Sequence, residues 1–246
     1  MSDTPNVDGL WLAEESVFRE HHAAAVNDPA MSRVLRLINT SLVFMIDIAE
    51  APYDDQDART VSGIAGRIFN STAGALRQAL SGYHQTSFVL QRDLVEITTL
   101  LDVFFLDLSR ITRWSAVSNS ERLKEFSPKA LREILKTQDG TEAAEIRRLN
   151  YQLFSEYAGH LTHPSLLMLQ LPSGATQFGP RKDLVRLGHC LHELGRRVVL
   201  AAAGEVLVFM ALHTRDVRPI RSDAVERLTQ LNTEWKAIYR PQENPS

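Results

Sequence analysis

Apolar positions along this chain recur with the three-to-four-residue rhythm of amphipathic helices. No long stretch alternates apolar and polar residues with the two-residue period of a strand. The clearest stripe covers residues 29–50, where Val34, Leu35, Ile38, Leu42, Met45, Ile46 and Ala49 fall on one side. Asn27-Asp28-Pro29 supplies its start, a polar cap with proline just inside the helix. Ahead of it, Leu10, Leu12, Val17 and Phe18 mark a less regular first helix at residues 9–25. Residues 57–81 predict a third helix with an unusually small face that includes Gly63, Ala65, Gly66, Ser71, Gly74 and Ala75. An interior glycine costs up to ~1 kcal/mol relative to alanine, so this face implies close approach of a neighbouring helix. Gly82-Tyr83 reads as a kink or break. The next helix, 84–108, is apolar on most sides (Phe88, Leu94, Ile97, Leu101, Phe104) and is expected at the centre.

Short helical turns around Trp114 are expected over residues 109–127, after which Ser127-Pro128 caps a helix reaching residue 136. Residues 141–159 predict another helix, with Ile146, Leu149, Leu153, Phe154 and Tyr157 turned inward. His163-Pro164 stops it. Residues 165–180 are the only sizeable non-helical island, either a small hairpin around Pro172-Ser173-Gly174-Ala175 or a long irregular loop. A long helix at 182–214 contains the most apolar stretch of the chain, residues 198–212. Glu205 interrupts that stretch, and it falls short of the ~20 residues a bilayer span needs, so it predicts a helix buried in protein. An amphipathic helix at 223–239 closes the fold, with residues 1–8 and 241–246 as frayed tails. No linker or repeat divides the chain. The expectation is an all-α fold, a single-domain multi-helix bundle over residues 1–246.

Composition narrows the class without naming an activity. The 246 residues are 44% hydrophobic and 23% charged, as in an ordinary soluble globular protein, which excludes a disordered chain, a collagen-like repeat and a disulfide-stapled miniprotein. Lys and Arg number 27 against 30 Asp and Glu, a net charge of -3 that provides no global field for nucleic acid, although a local basic patch stays open. The lone Cys190 excludes an internal disulfide and an all-thiolate zinc site, and it fits a reducing, cytoplasmic setting. The first residues, Met1-Ser2-Asp3-Thr4-Pro5, lack the basic-then-apolar pattern of a secretory signal. Gly-x-Gly-x-x-Gly, a phosphate-binding loop, Gly-x-Ser-x-Gly and an aromatic-basic ribonucleoprotein motif are all missing, so no cofactor is called for and there is no strong nucleic-acid signal. A membrane partner is not expected, and a homo-oligomer stays open.

Three polar constellations remain. Arg92 and Glu96 stand at i and i+4 on the apolar fourth helix, within salt-bridge reach. They form either an internal ion pair that fixes packing or an anion-binding arginine oriented by its glutamate. Glu156, His160 and His163 share the end of one helix. They provide a two-histidine, one-carboxylate metal set for a metal-dependent helical enzyme, or a carboxylate-oriented base. The structural alternative leaves His163 as a helix-end cap. In the third, Arg186-Leu187-Gly188-His189-Cys190-Leu191-His192-Glu193, Arg186 and His192 are separated by five residues. That spacing resembles the Arg-x(4–6)-His pattern of helical HEPN-type ribonucleases. The resemblance implies that the pair acts on RNA phosphate at a dimer interface, although Leu187 stands where a polar residue is usual.

A second resemblance spans residues 70–180. Gly82-Tyr83 leads into Arg92-Asp93-Leu94-Val95-Glu96; Phe126-Ser127-Pro128-Lys129 follows; Tyr151 to Ser155 leads to His163-Pro164-Ser165. This order resembles a bacterial all-helical family of unknown function. The resemblance implies a helical fold and a cluster of Arg92, Glu96 and His163; with Ser155 and His160 these residues are expected to share a pocket that binds a small anionic ligand or a protein partner. It implies no reaction.

Overall fold

The structure, a computed structural model, describes residues 7–50, 53–159, 161–171, 173–213 and 224–240. The elements are α1 (Val7–Asn27), α2 (Pro29–Glu50), α3 (Gln56–Leu80), α4 (His84–Leu106), α5 (Ser109–Ala116), α6 (Asn119–Glu125), α7 (Pro128–Lys136) and α8 (Thr141–Phe154). A single π-helical turn (Ser155–Gly159) follows, then α9 (His163–Leu167), α10 (Leu184–His213) and α11 (Ala224–Tyr239). The architecture is an all-α bundle, as the hydrophobic period dictates. Residues 7 and 8 of the predicted tail are helical; 1–6 and 241–246 lie outside the described residues.

Local sequence signals account for many of the ends. Asp55 caps α3 by accepting from the Ala58 amide, Ser127 caps α7 ahead of Pro128, and Ser118 with Glu121 forms a capping box on α6. One boundary departs from expectation. His163-Pro164 opens the short helix α9 instead of only closing the one before it, because Thr162 and Ser165 cap it reciprocally. Beyond it the expected hairpin reduces to one antiparallel bridge, Gln170 with Thr176, turned by Gly174 at φ 82°.

Helices α2, α3, α4 and α10 pack together as the centre, with α10 against α4 forming the most extensive contact. Phe104, Ile68, Leu37, Leu101, Leu191 and Phe209 are fully enclosed, and one continuous apolar core runs from Ala25 on α1 to Leu231 on α11. Most of the stretch at 198–212 is inside this core, with Leu200, Leu207 and Met210 turned outward, and among the described residues no helix is long and apolar enough to cross a membrane.

Two expectations of packing need correcting. On α3 the small face is in contact only in part: Ala58, Ala65, Ser71 and Ala75 are buried and a Cβ at Gly74 would stand 3.1 Å from Leu90 of α4, whereas Gly63 and Gly66 face open space and their smallness serves no contact. On α8 and the π-turn only Phe154 is buried; Ile146, Leu149, Leu153 and Tyr157 are substantially exposed. The reason is that α8 sits on the edge of the bundle, against α4 and α7, with no helix of the described residues packed on its outer side.

Gly82 holds the turn between α3 and α4. Its φ of +83° is a left-handed value open to glycine, and a Cβ there would stand 2.5 Å from the Arg181 nitrogen. The Arg181 amide donates to the Gly82 carbonyl at 3.2 Å, so the segment ahead of α10 crosses directly over this turn. That crossing brings the start of α4 to the start of α10.

Candidate functional site

Where the first turns of α4 and α10 meet, a cavity of about 320 Å³ opens between α4, the end of α8 with its π-turn, α9 and α10. Phe88, Leu153, Phe154, Tyr157 and Met168 supply its apolar wall; His84, Arg186, His189 and Glu193 supply its polar side. Arg186, His189 and Glu193 fall at i, i+3 and i+7, which places all three on one face of α10.

His84 is the least satisfied group at this site. Its side chain is almost wholly buried, and Nε2 has no hydrogen-bond partner. Burial pushes the imidazole down to about 4, helped by the positive surroundings of His21, Arg186 and Arg181 and opposed by Asp183. It is therefore neutral at physiological pH. Beside it, the His21 ring stands 5.8 Å away and is tied on both sides. Its Nδ1–H donates to the Leu80 carbonyl at 3.1 Å and its Nε2 accepts from the Asp183 amide at 3.2 Å, which sets a neutral tautomer.

Arginines outnumber carboxylates around the cavity. Asp183 accepts from the Arg186 amide at the start of α10 and pairs with both Arg181, at 3.1 Å, and Arg186, at 3.3 Å. Glu193 is shared by Arg197 at 2.8 Å and Arg196 at 3.9 Å. Arg186 Nη1 donates to the Met168 carbonyl, while Nη2 has no partner among the described residues. Within these ion pairs four arginines, Arg181, Arg186, Arg196 and Arg197, stand against two carboxylates, although only Arg186 and Glu193 line the cavity, and the positive end of α10 adds to the positive side.

The other sequence candidates stand away from the lining of this cavity. Arg92 pairs with Glu96 at 3.0 Å and donates to the Tyr151 hydroxyl at 3.2 Å; Arg132 lies over the same tyrosine ring at 4.0 Å. This cluster ties α4 to α7 and α8. Ser155 Oγ is buried without a partner at the start of the π-turn. His163 is exposed on α9 and makes no side-chain hydrogen bond to a described residue. None of Arg92, Glu96, Ser155 and His163 lines the cavity.

Glu156 of the proposed metal set bonds to Gln152 at 2.7 Å, His160 lies outside the described residues, and among the described residues no group of three ligating side chains converges. Arg186 and His192 point to different places. Six residues of α-helix turn them about 120° apart, Arg186 into the cavity and His192 onto Tyr239 at 4.5 Å. Cys190 is fully buried and its thiol is pushed up to about 12 by burial, so it packs and does not react.

His84 was not singled out as a site residue in the sequence because nothing local marks it. It sits 102 residues from Arg186 and meets it only through the crossing at Gly82. Comparison with family models, with curated proteins and with solved structures finds no match to this chain. The resemblance carried by Gly82-Tyr83, Arg92–Glu96 and His163-Pro164-Ser165 rests on those motifs alone.

Proposed function

We propose that this protein binds a small amphipathic carboxylate in the cavity between α4 and α10. The apolar tail lies against Phe88, Leu153, Phe154, Tyr157 and Met168, and the acidic head meets His84 and Arg186. His84 Nε2 carries the proposal: a buried polar atom left without a partner costs free energy, and a cavity beside it provides room for a group that satisfies it. A neutral imidazole offers Nε2–H as a donor, and the free Nη2 of Arg186 offers a second. Shared carboxylates leave the surroundings positive, which favours an anionic head over a neutral one. The anionic ligand expected from the sequence thus finds its support in Arg186 and His84, not in Arg92 and His163.

The test is calorimetric titration with straight-chain monocarboxylates of graded length and with arylacetates. Affinity is expected to rise with apolar length until the cavity is full, and the matching primary amides are expected to bind at least about tenfold more weakly, the worth of one charge-assisted hydrogen bond. Arg186→Gln is expected to lose that preference for the acid. Absence of binding across the panel, or equal binding of acids and amides, overturns the proposal.

A further inference from the structure

Helices α8 and α10 both pack on α4 and scarcely on each other, leaving a groove of about 400 Å³ between them. Each turns a line of apolar side chains outward. Ile146, Leu149 and Leu153 on α8, and Leu200, Leu207 and Met210 on α10, leave 36–49% of their surfaces exposed. Their spacings of three, four and seven residues are those of helices that pack lengthwise against another helix. Ala143 and Ala203 line the groove and leave room for a helix to approach, while Gly204 is packed inward against Leu101 of α4.

The charges in the groove are already matched. Arg147 pairs with Asp102 at 2.5 Å and Asp139 at 2.6 Å, and Arg197 donates to Glu193 at 2.8 Å and Asn150 at 3.0 Å. Covering this surface with an apolar helix therefore strands no charge. The six apolar side chains expose on the order of 500 Å², near the upper end for the largest apolar patch of a monomer. With a polar rim, that is the scale of the ~800 Å² per partner that a stable interface buries.

We infer that this surface is a self-association face, on which a second copy of the chain docks about a two-fold axis. The α8 stripe of each copy enters the α8–α10 groove of the other. A two-fold contact requires one surface to present both a ridge and its matching groove, and these stand side by side on this one. The inference does not rest on the carboxylate cavity, although Leu153 borders both surfaces and Glu193, which lines the cavity, also pairs with Arg197 of the groove.

Analytical ultracentrifugation across the micromolar range tests it. The wild-type chain is expected to sediment at twice the chain mass. Leu149→Glu and Leu207→Glu, both at exposed positions, are expected to sediment as monomers with unchanged helical circular dichroism, while Leu149→Met remains a dimer. A wild-type protein that is monomeric throughout the range overturns the inference, as does a dimer that persists in both glutamate variants.

Discussion

His84 and Glu205 are both buried, both titratable and both without a hydrogen-bond partner, yet they stand in opposite surroundings. His84 borders an open cavity among arginines, where a bound acid can complete it. Glu205 is fully enclosed on α10, in the apolar core, and lines neither that cavity nor the α8–α10 groove. Burial raises its carboxyl well above the usual range, so it stays protonated inside the fold. An orphaned polar atom points to a ligand only where there is space beside it. Without that space it is a cost in stability.

The largest expected effect breaks the comparison by removing one of its sides. Gly82→Ala forces a left-handed backbone and a clash with Arg181, and is expected to cost about 3 kcal/mol or more in urea unfolding. It should abolish carboxylate binding as well, because the crossing that joins α4 to α10 is lost. Next, Glu205→Leu removes an unsatisfied buried carboxyl and is expected to gain about 1–3 kcal/mol by the same assay. A loss instead would show that Glu205 has an undetected partner. Gly66→Ala sets the scale for a site of neither kind. The added methyl meets nothing, and a gain of up to ~1 kcal/mol is expected from helix propensity. Smallest in stability is His84→Phe, expected within ~1 kcal/mol of wild type, since it fills space and removes an unpaired atom. Its signature is loss of ligand binding.

The pH dependence sharpens the same contrast, because the two groups act with opposite sign. His84 falls to about 4 in the fold from an ordinary 6.5, so between those values the unfolded chain holds the extra proton and stability drops as pH falls. Glu205 is raised above its ordinary 4.5, so above that value the folded chain holds the extra proton and stability drops as pH rises. Thermal denaturation across pH is expected to show the acid-side decline flattened in His84→Phe and the alkaline-side decline flattened in Glu205→Gln.

Fold class was legible because helical period and caps are local properties. Ser127-Pro128 and Asn27-Asp28-Pro29 mark their helix starts in the sequence itself, and Val34, Ile38 and Met45 declare the buried side of α2. What a stripe cannot declare is whether anything covers it. Ile146, Leu149 and Leu153 have the spacing of a core face and stand on an edge. Thr162 and Ser165 acted against the proline as a stop, through reciprocal capping visible only once His163 is seen to begin a turn. The site was half legible. Arg186 stands out on α10 by its histidine neighbours, but His84, which lines the same cavity, is distant in sequence and brought there by the Gly82 crossing. Arg92 and Glu96 stand out as charges on an apolar helix; they pair with each other and Arg92 reaches Tyr151, while Arg92 Nε stays buried without a partner.

The most direct measurement is the imidazole nitrogen NMR of His84 during titration with octanoate, with exposed His22 as an internal reference. The Nε2 resonance is expected to move toward a hydrogen-bonded donor in step with saturation while His22 stays in place. A His84 signal that does not move when octanoate is saturating contradicts the assignment of this cavity as the carboxylate site.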